Sequence, residues 1–149
     1  MVMFNHTLAD FYERDLRRLI AEINQFKVEE NLWKTHGSVR NSSGNLALHL
    51  IGGMNYLIGD KLGQTGYVRD RDQEFLRKNV SRVELVDQTE ALSCVIKDIL
   101  TSLTSDQLEA DYPIPFDDAT RSNAYVLVQL LAHLNYHLGQ INYLRRVFE

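Results

Sequence analysis

Prolines occupy only two positions of this 149-residue chain, Pro113 and Pro115, and both lie in one short segment. Because proline disrupts helices more strongly than any other residue, the long stretches on either side of that segment are free to be helical. Apolar residues recur at helical intervals in four such stretches, and no stretch shows the sustained alternation of a β-strand. The pattern predicts an all-α fold.

Four amphipathic helices are predicted: over residues 5–26, from the N-cap cluster at 41–44 to residue 62, over 82–103, and from 122 almost to the chain end. Helices of this length suit a four-helix bundle, and no repeat or composition shift divides residues 1–149 into more than one domain. The connection 63–81, at about 3.3 Å per extended residue, is long enough to cross the bundle. Helices two and three can therefore run parallel.

Composition excludes several classes of partner. The chain has 16 Lys and Arg against 20 Asp and Glu, a net charge of −4, and so lacks the cationic excess that nucleic-acid binding requires. No apolar stretch approaches the roughly 20 residues of a membrane span, and the first residues lack a secretory pattern. The single cysteine, Cys94, cannot form an intramolecular disulfide and is expected to be a small buried side chain. We predict a cytoplasmic protein that binds neither nucleic acid nor membrane.

Three of the five histidines fall on apolar helical faces. His133 and His137 are four residues apart, so their imidazoles lie one turn above each other on the fourth helix. His49 lies among the apolar residues of the second helix. Three imidazoles are thus predicted to point toward the interior of one bundle.

A single inward histidine is usually a hydrogen-bonded core residue, but three in one bundle need a common partner, because an unsatisfied buried polar group costs about 1–3 kcal/mol. A divalent cation can satisfy all three, and three nitrogen ligands with one open position are typical of catalytic zinc. Other metal chemistries are excluded. Leu134 follows His133 where a zincin has glutamate, no glutamate precedes a histidine by three residues, and one cysteine cannot form a thiolate site.

These residues also carry a family resemblance. His49 within NSSGNLALHL, together with His133 and the segment His137-Leu138-Gly139-Gln140-Ile141, resembles the DinB/YfiT-like superfamily, and the segment RDRDQEF from Arg69 is similar to a subfamily of unknown function. The resemblance covers almost the whole chain. It implies a dimeric four-helix bundle with a long connection between helices two and three, and a zinc or nickel ion held by His49, His133 and His137. It also implies activation of a low-molecular-weight thiol for transfer to an electrophile.

The residues leave the reaction open. A metal-bound water supports hydrolysis and a metal-bound thiolate supports S-transfer, and no residue of the sequence distinguishes the two. Arg69 and Arg71 are candidates for contact with an anionic substrate, and a charged surface loop is the alternative. The alternative for the whole chain is a metal-free helical bundle that acts as an interaction or structural module.

Two further features have two interpretations each. Gly52-Gly53, one turn after His49, either opens space above the metal or permits the close approach of a neighbouring element. Gln140 and Asn135 are either hydrogen-bond partners of the second imidazole nitrogens or solvated residues of the helix flank.

Overall fold

A computed structural model describes residues 3–149, and every regular element in that range is helical. The four long segments are α1 (Phe4–Gln25), α2 (Ser43–Met54), α5 (Arg82–Ser102) and α7 (Asn123–Phe148). Helix α2 continues through a π-helical turn (Asn55–Asp60) into α3 (Lys61–Gly63). The shorter elements are a 3₁₀ turn (Glu29–Trp33), α4 (Arg71–Leu76) and α6 (Ser105–Glu109). The all-α prediction is confirmed, and the four predicted stretches are the four long segments.

Serine side chains define where three of these helices begin. Ser42, Ser81 and Ser122 each accept a hydrogen bond from the backbone N–H three residues further on, at the starts of α2, α5 and α7. Such caps satisfy amide groups that have no partner within the helix. Each predicted start therefore lies within a residue or two of the observed one.

Buried leucine, isoleucine and aromatic side chains from all four long helices form one core. Helix α1 packs against α5 and α7, and α2 packs against the same two helices, so the four enclose the core as a ring. Tyr12, which is fully buried on α1, donates a hydrogen bond to the Leu127 carbonyl of α7 over 2.6 Å. This contact joins two helices whose apolar faces meet in the core.

Helices α2 and α5 run parallel, as the length of the connection between them allows. At one end, the Asn45 side chain donates to the Arg77 carbonyl, just before α5 begins, over 2.9 Å. At the other end, Gly63 lies against the side chain of Ile99. The connection therefore returns along α2, and α4 packs on α2 on the way.

The structure also corrects several expectations. The connections hold the 3₁₀ turn, α4 and α6, whose apolar periodicity is too short to be detected in the sequence. The turn at 111–121 contains two isolated antiparallel bridges, Asp111 with Ser122 and Phe116 with Ala119. Cys94 is exposed and not buried, because it lies on the outer face of α5. None of the helices in residues 3–149 combines the length and apolar character needed to cross a membrane.

Candidate metal centre

The side chains of His49 on α2 and of His133 and His137 on α7 meet where the two helices pack together; we call them the histidine cluster. The ring centroids of His133 and His137 are 4.4 Å apart, and each lies 5.3 Å from the centroid of His49. Nε2 of His49 is 3.1 Å from Nε2 of His133, and one nitrogen from each ring lies within 4.8 Å of the other two. The predicted juxtaposition of the three histidines is present.

The prediction that all three rings point into the interior is only partly correct. His137 is buried with 9% of its surface exposed, His49 is half-buried, and His133 is exposed. Both histidines lie beside the buried stripe that Leu130, Leu134 and Leu138 form on α7, and the rotation of α7 leaves His133 on the exposed side of that stripe. The cluster consequently lies at the edge of the α2–α7 contact, where a small molecule can reach it.

Two of the rings are held from behind by oxygen acceptors. Nδ1 of His49 lies 3.0 Å from a carboxylate oxygen of Glu74, and Nδ1 of His137 lies 2.6 Å from the side-chain oxygen of Gln140. Both oxygens only accept hydrogen bonds, so each Nδ1 carries the hydrogen and each Nε2 has its lone pair free. Histidines that bind metals almost always donate their second N–H in this way.

Glu74 belongs to the candidate site and was not predicted from the sequence. Its carboxylate, on a side chain only 6% exposed, receives two hydrogen bonds of 2.8 Å from Arg69 in addition to the bond from His49. A Cβ atom on Gly52 would lie 2.8 Å from Cδ of Glu74, so only glycine lets the carboxylate lie this close to α2. For Gly52 the close approach of a neighbouring element is therefore the observed interpretation, whereas Gly53 lies on the wall of a cavity beside His49.

No local signal identifies Glu74 as the partner of His49. The two residues are 25 positions apart, and their contact requires α4 to fold back onto α2. Of the two residues considered as partners of the imidazoles, Gln140 has that role. Asn135 instead donates to Asp15 over 2.7 Å and so joins α7 to α1.

The surroundings keep the imidazoles neutral. Burial lowers the pKa of His49 and of His137 below the ordinary value. The pKa of His133 falls to about 4. The first cause is the loss of water around the side of the ring that packs against the cluster, and the second is that His137 and His49 repel a positive charge on it. All three rings are therefore neutral at pH 7, which is the protonation state that a metal ligand needs.

The spacing of the nitrogens is close to what a small divalent cation requires. Two nitrogens bound tetrahedrally at about 2.0–2.1 Å from zinc are about 3.3 Å apart, and His49 and His133 are at 3.1 Å. The outermost nitrogens, within 4.8 Å of each other, need to approach by no more than about 1.5 Å. The three residues could thus hold an ion and leave at least one coordination position open.

A cavity of about 290 Å³, which we call cavity A, opens beside His49 and His133. Arg69, Arg71 and Phe116 also line it. Arg69 is bound to Glu74 and its side chain is 16% exposed, whereas Arg71 is exposed and has no carboxylate within ion-pair distance among residues 3–149. The guanidinium of Arg71 is therefore available to an anion in cavity A, whereas Arg69 supports the histidine cluster through Glu74.

Comparison with known proteins identifies one family. Residues 6–149 match the model of the family described as "Protein of unknown function (DUF1572)". No curated protein matches the chain.

Proposed function

This chain belongs to the DUF1572 family, and we propose that it binds one divalent cation, zinc or nickel, through His49, His133 and His137. The observation that carries the proposal is the meeting of three neutral imidazoles, two of which already donate their outer N–H to Glu74 and Gln140. Such support fixes both the tautomer and the orientation of a ligating ring. A histidine with a purely structural role needs only one hydrogen bond, and its ring nitrogen does not need to lie close to those of two other histidines.

We further propose that the site acts on a small molecule bound in cavity A. When bound, the cation would lower the pKa of a water or thiol and so supply a nucleophile at neutral pH. The chain supplies the remaining functions: Arg69 and Glu74 orient His49, Gln140 orients His137, and the exposed guanidinium of Arg71 pairs with an anionic group of the substrate. Transfer of an activated low-molecular-weight thiol to an electrophile, and hydrolysis, are the two reactions that these residues fit.

The resemblance described above extends this proposal to the architecture. We propose that the chain adopts the four-helix bundle of the DinB/YfiT-like superfamily, that it forms a homodimer and that it is located in the cytoplasm. Exposed aromatic side chains on α1 and α7, among them Phe4, Phe11 and Tyr125, are available for contact with a second copy. Light scattering on the purified protein tests the dimer.

Metal analysis tests the central proposal. The protein is purified without a polyhistidine tag, dialysed against zinc or nickel and then against buffer, and analysed for bound metal. We expect one equivalent in the parent chain and in His6→Ala, which removes an exposed histidine of α1, and much less than one in His133→Ala. Equal metal content in the two variants, or none in the parent chain, would refute the proposal.

The alternative, a metal-free interaction or structural module, also has an observation in its favour. The 3.1 Å separation between Nε2 of His49 and Nε2 of His133 allows one ring to donate to the other without any metal. The two functions predict different effects of added metal on the melting temperature of the protein. Only a ligand that prefers the folded state raises the melting temperature. At a free ligand concentration a hundred times Kd, such a ligand raises the free energy of unfolding by about 2.7 kcal/mol. A melting temperature unchanged by zinc and by nickel would favour the module.

A further inference from the structure

A second cavity, of about 630 Å³, borders the histidine cluster from the side of His137; we call it cavity B. No residue lines both cavity A and cavity B. Cavity B lies between the loop that precedes α2 and the C-terminal half of α7. Its volume falls in the range of about 300–1,000 Å³ typical of small-molecule sites.

The charge around cavity B differs from that of the rest of the chain. Arg40, His36 and His137 are the titratable residues with basic side chains that line it, and no aspartate or glutamate does. Four other cavities each have at least one carboxylate on their walls, from Asp117, Asp106, Glu74 or Glu22. In a protein with a net charge of −4, a cavity without any acidic side chain favours an anionic occupant.

Arg40 is available to such an anion. It is exposed, and among residues 3–149 no carboxylate lies within 4.0 Å of its guanidinium. Arginine presents several N–H donors in a planar fork that matches a carboxylate or a similar oxyanion.

The remaining wall of cavity B is apolar and aromatic. Tyr136 and Tyr143 are 65% and 70% exposed, and Val39 and Val147 are also exposed beside them. Exposed apolar side chains that gather around one cavity, unlike those scattered singly, indicate a binding surface. Tyrosine is suited to this role because its ring contacts apolar groups while its hydroxyl stays in water.

We propose that cavity B binds a small aromatic or aliphatic molecule with one anionic group. The apolar part contacts Tyr136, Tyr143 and Leu144, and the anionic group pairs with Arg40. His137 itself lines this cavity, together with Gln140, whose side-chain oxygen accepts its hydrogen bond, so the occupant lies directly beside the histidine cluster. The site does not depend on a bound metal, and it is tested without one.

The experiment compares two probes that share a naphthalene ring, one with an anionic substituent and one with a neutral polar substituent. Naphthalene-2-sulfonate and its neutral analogue 2-naphthalenemethanol are titrated into the full chain in the presence of a chelator, and binding is followed by backbone amide NMR shifts. We expect shifts concentrated at residues 38–41 and 136–147, and at least about threefold tighter binding of the sulfonate, as for an exposed charge contact. Arg40→Gln should abolish this preference. Arg71→Gln, which removes an exposed arginine from cavity A, should leave it intact.

Three results would overturn the proposal. The first is a sulfonate preference that survives Arg40→Gln. The second is a set of shifts centred outside cavity B. The third is binding of neither probe, or equal binding of both, by the parent chain in whatever oligomeric state light scattering shows. All of these titrations are made without metal. Their results therefore test cavity B even if the histidine cluster binds no cation.

Discussion

Gly52→Ala is the substitution that best tests how the histidine cluster is supported. The added Cβ would lie 2.8 Å from Cδ of Glu74, whereas two carbons in contact are normally about 3.5–4.0 Å apart. The carboxylate must therefore move by at least about 0.7 Å. It cannot easily swing aside, because Arg69 holds it by two hydrogen bonds of 2.8 Å and its side chain is only 6% exposed.

The direction of that movement determines the effect. His49 and Gly52 are three residues apart on one face of α2, so a carboxylate pushed away from Gly52 also moves away from His49. The bond of 3.0 Å between His49 and Glu74 would lengthen to about 3.7 Å, beyond the limit of a hydrogen bond. Loss of such support for a ligating histidine lowers metal affinity about 10–100-fold, which corresponds to about 1.4–2.8 kcal/mol.

The matched control is Gly139→Ala on α7, where an added Cβ has no atom within 4 Å. Both substitutions gain about 0.5–1 kcal/mol of helix propensity, so their difference isolates the contact with Glu74. We expect Gly139→Ala to be slightly more stable than the parent chain with unchanged metal affinity. Gly52→Ala should lose about 1–2 kcal/mol net, because a hydrogen bond to a charged group is lost.

Two assays read these outcomes. Urea unfolding of the metal-free chain measures stability, and calorimetric titration with zinc or nickel measures affinity. If Gly52→Ala binds the metal as tightly as Gly139→Ala does, Glu74 does not support the metal centre, and the reasoning above is refuted.

Three further predictions follow from the same structure. Because the pKa of His133 is about 4 in the folded chain and 6.5 ordinarily, the unfolded state takes up the proton first. The stability of the metal-free chain should therefore fall as pH drops from 6.5 to 4, and a slope unchanged by His133→Ala in urea unfolding would contradict this. Arg69→Gln should weaken metal binding through Glu74 while Arg71→Gln should not, as calorimetry will show; equal effects would refute the separate roles. Tyr12→Phe removes the hydroxyl donor to the Leu127 carbonyl, which keeps its partner within α7, and should cost about 0.5–1.5 kcal/mol in urea unfolding; an unchanged midpoint would show that this bond contributes little.

Much of the fold could be predicted because its signals are local. Apolar spacing identified all four long helices, and the N-cap cluster at 41–44 marked where the second of them begins. The short elements α4 and α6 were missed, because five or six residues are too few to establish a helical period.

Some features of the histidine cluster likewise follow from the local sequence, and others depend on how the helices pack. The i, i+4 relation of His133 and His137 follows from helix geometry alone, so any helix over this segment places the two rings together. The exposure of His133 does not follow, since it depends on how α7 is rotated about its axis when it packs. Cavities A and B are likewise spaces between elements, and no single stretch of sequence describes them.

The order of residues along the chain thus determined the helices, their starting points and the pairing of two imidazoles, because each depends on neighbours within one or two turns. Tertiary packing alone decided that His49 meets His133 across 84 positions and that Glu74 reaches His49 from α4. Contacts of that range exist only once a shared core fixes the separation and rotation of α2 and α7, and many weak interactions across the whole molecule set that geometry.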